Sequence, residues 1–232
     1  MSRQKKRVAV LISGRGSNML ALIDAAGDPN FPAEIVGVIS DNPDAMGLAT
    51  AASQGISTAS FLRGSYASKE AHDAAIDAEL TRLKADIVCL AGYMRLLTPD
   101  FASKWAGKII NIHPSLLPLF KGLDTHNRAI ESGMRVHGCS VHFVTPELDD
   151  GPVIAQAVVP ILPGDDSDTL AARVLTVEHK LYPLAVRMLA TGKVRMQGDK
   201  AILSGVTAEG ALMSPGAAPD AIDIESLARM TP

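Results

Sequence analysis

Cysteine, aromatic residues, basic charge and long apolar runs are all scarce in this chain. Only Cys89 and Cys139 occur among 232 residues, both in apolar, strand-like runs. Neither belongs to a CxxC pair or a His/Cys ligand spacing, so nothing points to a disulfide framework, and buried reduced thiols are expected. Aromatics make up 4% of the chain, which implies an aliphatic, Ala-rich core. Lys and Arg total 22 against 25 Asp and Glu, and the one basic run, "RQKKR" at 3–7, reads as a solvated terminus. A general nucleic-acid binder is therefore disfavoured. No stretch approaches the ~20 apolar residues of a membrane span. The run "VAVLI" is too short for the apolar region of a secretory signal. A reducing, cytoplasmic setting is expected.

What is present is apolar and periodic. At 47% apolar, the chain can bury one sizeable core, and one α/β domain over 1–205 is expected. Continuously apolar runs at 8–13, 34–40, 86–92 and 109–113, with a short one in "TASFL", read as buried strands. Helical patterns separate them: "SNMLALIDAA", about 47–54, 68–85 with Ser68 as N-cap, and Pro99 to Trp105. Such alternation implies a Rossmann-like, mostly parallel open sheet covered by helices on both faces. In the second half, 137–144 and 153–161 read as an antiparallel addition. A long helix follows, capped by Asp166 or Ser167 and ended at Gly192, which Pro183 is expected to kink or divide. "VRMQGDKAILSG" reads as a terminal hairpin with a Gly-Asp turn. The tail, 206–232, lacks periodicity and is expected to be poorly ordered or loosely docked.

Four stretches carry chemistry. "SGRGSN" (13–18) joins a buried strand to a helix. Its small residues admit a ligand close to the backbone, and unpaired amides at a helix start favour a phosphate. It is neither a complete GxGxxG nor a P-loop. The bland alternative is an αL turn with Ser17 as helix cap. A dinucleotide reading draws some support from Asp41 after the second strand. In "NIHPSLLP" (111–118), Asn111 and His113 share one parity at a strand end, so both can face one cleft. An amide NH2 can hold an oxyanion and an imidazole can trade protons near neutral pH. In "ELDDG" (147–151), Asp149 near His113 would favour the charged ring and orient it, whereas Glu147 and Asp150 would face solvent. In "LTVEHKLYP" (175–183), Glu178 lies on or beside an apolar helix face and wants a partner, either a ligand group or a structural Arg or Lys. The remaining histidines, His72, His126, His137, His142 and His179, form no HExxH pair, and no metal site is expected.

In this order, "LISGRGSN", "LAGYMRLL", "NIHPSLLP", "HGCSVHFVTPELDDGPVI" and "TVEHKLYP" closely resemble the phosphoribosylglycinamide formyltransferase family of purine biosynthesis, from about residue 7 to 205. The resemblance implies transfer of a formyl group from 10-formyltetrahydrofolate to the primary amine of glycinamide ribonucleotide. No metal or covalent enzyme intermediate is implied. It maps a catalytic Asn-His-Asp set onto Asn111, His113 and Asp149. It places the ribonucleotide phosphate on Gly16, Ser17 and Asn18, and the ribose hydroxyls on Glu178, with Leu175, Thr176 and Val177 lining that pocket. Folate would lie against Met94, Arg95, Leu96 and Leu97, near Asn111, and against Thr145, Pro146, Glu147, Leu148 and Asp149. Lys69 stands where some members carry a folate-contacting Arg, and a lysine is a point charge rather than a planar fork. Asp150 stands where a second glycine often follows the catalytic Asp. The resemblance is compatible with a monomer or a homodimer. Two alternatives remain: hydrolysis of 10-formyltetrahydrofolate by the same site chemistry, and a non-catalytic nucleotide-binding module built on "SGRGSN" and Asp41.

Overall fold

The computed structural model describes residues 4–205 and 214. Seven strands form one sheet: β1 (Lys6–Ile12), β2 (Ala33–Ser40), β3 (Thr58–Ser60), β4 (Ile87–Leu90), β5 (Ile109–His113), β6 (Val136–Phe143) and β7 (Val153–Pro160). Their spatial order is β3-β2-β1-β4-β5-β6-β7. The first five are mutually parallel, while β6 runs antiparallel to β5 and β7 antiparallel to β6. The helices are α1 (Ser17–Ala26), α2 (Met46–Ser53), α3 (Lys69–Arg82), α4 (Pro99–Lys104), α5 (Thr125–Glu131) and α6 (Ser167–Thr191). A separate hairpin, β8 (Val194–Gln197) and β9 (Lys200–Leu203), turns at Gly198 and Asp199.

The unbroken apolar run of β1 follows from burial on both faces. Val8, Val10 and Ile12 join a core with Met19, Leu22 and Tyr182 on α1 and α6. The alternate residues Ala9 and Leu11 join a second core with Ile76 and Leu80 on α3, Phe101 on α4 and Trp105 just after it. Each fully buried Leu or Ile contributes about 1.5–3 kcal/mol. Cys89 and Cys139 are free and buried, and burial pushes both thiols up to about 12. Among the described residues, no helix is long and apolar enough to cross a membrane.

Local signals behave as the sequence indicates at several ends. Ser68 Oγ accepts from Ala71 N at the start of α3, and Asp166 accepts from Thr169 N at the start of α6. Gly192 closes α6 in the left-handed region, φ 76°. Three expectations differ. Pro183 does not divide α6, which runs unbroken for 25 residues. The proline removes one backbone donor, but buried Glu178, Leu181, Tyr182, Ala185 and Val186 hold the helix to the sheet on both sides of it. The α1 cap is Gly16, φ 76°, rather than Ser17, which is the first helical residue. The seven-residue α5 has no counterpart among the sequence-derived elements; it is short and starts from Asp124 without a side-chain cap. The expected loose tail at 206–232 falls outside the described residues, except for Ser214.

The strand order reverses around β1, because β2 lies on one side and β4 on the other. In open α/β sheets a crevice forms there, beyond the carboxyl ends of the strands. Tyr182 Oη reaches the carbonyls of Leu90 at 2.9 Å and Ile110 at 3.1 Å, tying α6 to β4 and β5.

Candidate active site

The turn after β1 is shaped by close backbone approaches. Gly47 N donates to Gly14 O at 3.1 Å. A Cβ on Gly47 would stand 2.5 Å from Ile12 Cδ1 and 3.2 Å from the Gly14 and Arg15 carbonyls, so glycine lets α2 approach this loop without crowding. Ser13 joins the turn to the segment after β4: its N donates to Gly92 O (3.2 Å), and its Oγ accepts from Met94 N (2.9 Å). Asn18, in the first turn of α1, is buried and donates through Nδ2 to Glu178 Oε2 at 2.6 Å. Burial pushes the Glu178 carboxyl up, and the Asn18 bond opposes that shift. The partner of Glu178 is thus an amide, neither an Arg nor a Lys. Asn18 Oδ1 is buried without a protein partner.

The next group lies at the β5 end. In the β5–β6 register, Asn111 faces His142 and His113 faces Ser140. His142 Nδ1 lies 2.8 Å from the Phe143 carbonyl, which can only accept, so Nδ1 carries the proton. Burial pushes the His142 pKa down, which favours the neutral ring. Its free Nε2 then accepts from Asn111 Nδ2, 3.2 Å away. This fixes the Asn111 amide and leaves its second N–H available to the cavity. Asp149 Oδ1 also stands 3.8 Å from His142 Nε2, too long for a hydrogen bond.

His113 is held from two sides. Its Nδ1 lies 3.4 Å from Asp149 Oδ2, and its Nε2 lies 3.0 Å from the Phe120 carbonyl. Both neighbours are acceptors: the Phe120 carbonyl is within hydrogen-bond distance of Nε2, and the Asp149 carboxylate stands at ion-pair distance from Nδ1. Asp149 takes a left-handed conformation, φ 49°, and its Oδ2 also accepts from Gly122 N at 2.9 Å. The adjacent Asp150 points outward, is exposed, and pairs with Lys121. Glu147 is exposed as well.

One cavity of about 600 Å³ connects these groups. Asn18 and Glu178 border it, as do Asn111, His113 and Asp149. Met94 to Leu97 and Thr145 to Leu148 supply further wall. Met94, Leu96 and Leu148 are 64%, 60% and 52% exposed, so much of that wall is open apolar surface for a ligand. Several residues singled out from sequence do not reach it. Gly16 and Ser17 lie outside the wall. Leu175, Thr176 and Val177 are also absent: Val177 packs against the core and Thr176 Oγ1 donates to Arg173 O. Lys69 Nζ donates to Leu97 O at 3.0 Å, bracing the wall from behind. Asp41 is buried and accepts from Arg95 Nε at 3.1 Å; it is not part of the wall.

Sequence reasoning missed His142, Tyr93 and the 122–126 segment, all of which border the cavity. A usable signal existed for His142. In a strand beginning at Val136, Ser140 and His142 share a face, but only the register sets that face beside Asn111.

Comparison with known proteins agrees with this fold. The formyl transferase family pattern matches residues 6–186. The chain is 46% identical over 198 residues to the phosphoribosylglycinamide formyltransferase of Escherichia coli (strain K12), covering 85% of this chain and 93% of that protein. It is 47% identical over 204 residues to the trifunctional purine biosynthetic protein adenosine-3 of Bos taurus, spanning 88% of this chain and 20% of that longer protein. The crystal structure of phosphoribosylglycinamide formyltransferase from Brucella melitensis superposes with a TM-score of 0.79 at 59% identity, over 82% of this chain and 97% of that one. A match spanning β1 to α6, with the site inside it, means that this chain belongs to the formyl transferase family.

Proposed function

We propose that the chain transfers the formyl group of 10-formyltetrahydrofolate to the primary amine of glycinamide ribonucleotide, giving the N-formyl product and tetrahydrofolate. The observation that carries this reading is the single cavity. Its wall includes a buried Asn18–Glu178 pair suited to a polyol, an apolar slot at Met94–Leu97 and 145–148, and the Asn111, His113 and Asp149 groups. The ribonucleotide phosphate would sit on the amides of Gly16, Ser17 and Asn18, at the open start of α1. Glu178 would take the ribose hydroxyls. The folate pterin would lie along the backbone of Met94 to Leu97 and the 145–149 loop.

The chemistry follows from which atoms are free. The substrate amine attacks the formyl carbon, forming one C–N bond and driving the carbonyl electrons onto oxygen. The second N–H of Asn111 Nδ2 and the charged His113 ring would stabilise that oxyanion. His113 Nδ1 faces Asp149, so Nε2 would deliver the proton to the departing folate nitrogen as the second C–N bond breaks. The attacking amine loses its proton in turn, directly or through water. Asp149 would keep the ring aligned and charged. Phe120 O holds the Nε2 proton here, so a bound ligand competes with that carbonyl. The dinucleotide alternative loses its main support, because Asp41 is already engaged by Arg95.

The test is a stopped assay following loss of 10-formyltetrahydrofolate with and without glycinamide ribonucleotide. Consumption only when the ribonucleotide is present supports transfer. Equal consumption without it would make the protein a hydrolase, and no consumption under either condition would overturn the reading.

A further inference from the structure

The segment 120–124 runs beside the site on an unfavourable backbone. Phe120, Gly122 and Asp124 all take the left-handed conformation, with φ of 53°, 77° and 57°. A bulky residue such as Phe120 rarely does so, and strain of this kind persists only where surrounding contacts enforce it. The same segment holds both sides of the His113 ring. The Phe120 carbonyl lies 3.0 Å from Nε2. Gly122 N donates at 2.9 Å to Asp149 Oδ2, the oxygen that stands 3.4 Å from Nδ1. One strained strap therefore bears on both ring nitrogens.

The contacts that enforce it converge on Arg128 of α5. Arg128 Nη1 donates to Lys121 O at 2.7 Å and to Leu123 O at 3.2 Å. Those two carbonyls alternate with the three left-handed residues, so a single guanidinium nitrogen grips the strap at both of its intervening peptides. The guanidinium carbon also lies 5.5 Å from the centroid of the Phe120 ring, within reach of a cation–π attraction. His137, itself buried, meets the same ring edge-on at 6.0 Å between centroids. The base from which Arg128 acts is fixed. Thr125 Oγ1 donates to Pro114 O at 2.6 Å, and Ala129 is fully buried. Arg128 does not border the cavity, so it has no direct route to a ligand there.

We propose that Arg128 is a positioning residue for formyl transfer. It locks the 120–124 strap and, through Phe120 O and the Gly122 N bond to Asp149, fixes the orientation of the His113 ring. Its effect on rate rests on the formyl-transfer reading given above; its effect on the ring does not. A lysine would keep the charge but not the planar group that stacks on Phe120 while its nitrogen bonds two carbonyls.

Arg128→Met and Arg128→Lys, each in the full-length chain, test this against the wild type. The readouts are steady-state rates, calorimetry with glycinamide ribonucleotide, and the imidazole nitrogen resonances in NMR. His72, whose Nε2 lies 2.8 Å from Phe61 O and which is outside the cavity wall, serves as the control for an intact fold. Releasing the strap displaces the ring by about 1 Å, so turnover in Arg128→Met falls by about 10²-fold. Ribonucleotide binding changes far less, and Arg128→Lys recovers part of the rate. The His113 resonances move in Arg128→Met while those of His72 stay in place. Wild-type turnover in Arg128→Met, or unmoved His113 resonances, overturns the proposal. Displaced His72 resonances overturn it as well, because Arg128 is then a residue needed for the fold at large. If the wild-type protein itself transfers no formyl group, the formyl-transfer reading fails, and the two sets of resonances still decide whether Arg128 orients the ring.

Discussion

Gly151 sits where the 149–151 turn passes over the end of β6. A Cβ built there would lie 1.7 Å from the Phe143 carbonyl oxygen, 2.8 Å from its carbon and 3.4 Å from His142 Nδ1. Ordinary contact needs a displacement on the order of 1.5 Å, by either the turn or the carbonyl. Both movements damage the site. The Phe143 carbonyl receives the His142 Nδ1 proton and so sets the tautomer that fixes Asn111. The turn carries Asp149, whose Oδ2 lies 3.4 Å from His113 Nδ1. Misplacing a catalytic group by about 1 Å can cost about 10²-fold in rate, and overpacking of this kind destabilises by about 1–3 kcal/mol. In a domain of this size that lowers Tm by about 2–12 °C. Gly151→Ala is therefore expected to cut formyl transfer by about 10²-fold or more. Steady-state rates and thermal melts would be compared with Gly55→Ala, another glycine, with φ 76° but nothing within 4 Å of its Cβ. Gly55→Ala should lose some stability and keep its rate. Wild-type turnover in Gly151→Ala would refute the view that the Phe143 carbonyl and the 149–151 turn set the geometry.

Three further outcomes are expected. His113→Ala should lower turnover by about 10²–10⁴-fold while ribonucleotide binding, measured by calorimetry, changes far less; unchanged turnover would remove His113 from the chemistry. Asp149→Asn should slow the reaction and alter its pH–rate profile, whereas Asp150→Asn should do little, because Asp150 is exposed and bonded to Lys121; the reverse pattern would move the role to Asp150. His137 is 1% exposed, and burial foremost, with His126 next, pushes its pKa down to about 4. Above pH ~6.5 it is neutral both folded and unfolded and contributes no pH dependence. As pH falls from there toward 4, the unfolded chain gains a proton that the folded chain resists, so stability drops, by about 2–3 kcal/mol at pH 4.5. Denaturant titrations at pH 7.5 and 4.5 should show this loss in the wild-type protein and a smaller one in His137→Leu; equal losses in both would show that His137 is not the group responsible.

The legible part of the fold is the part set by local rules. β5 could be read at its observed limits because Ile109–His113 is a short apolar run closed by Pro114. The α3 start was legible through Ser68, and the hairpin through its Gly-Asp turn. Short α5 was not, because seven residues carry too little periodicity and Asp124, though an N-cap residue type, sits in the left-handed region and makes no side-chain cap. Division of α6 at Pro183 fails for a related reason: the proline penalty of about 3 kcal/mol is set against the buried contacts that α6 makes on either side of it.

Within the site, the same boundary separates parity from register. Two residues apart on one strand, Asn111 and His113 had to share a face, so their pairing was readable. Their partners come from 31 residues away on β6 and from the turn beyond it, and only the antiparallel register brings those groups together. His142 illustrates the difference most sharply. Among several histidines its only mark in the sequence was a strand parity shared with Ser140, yet its Nδ1 bond to Phe143 O and its burial select the one tautomer able to orient Asn111. Lys69 shows a capacity that its charge alone does not announce: its Nζ donates to Leu97 O and holds the cavity wall in place. A side chain's chemistry states what it could do at a site, but the strand register and the backbone acceptors around it decide which of those capacities it uses.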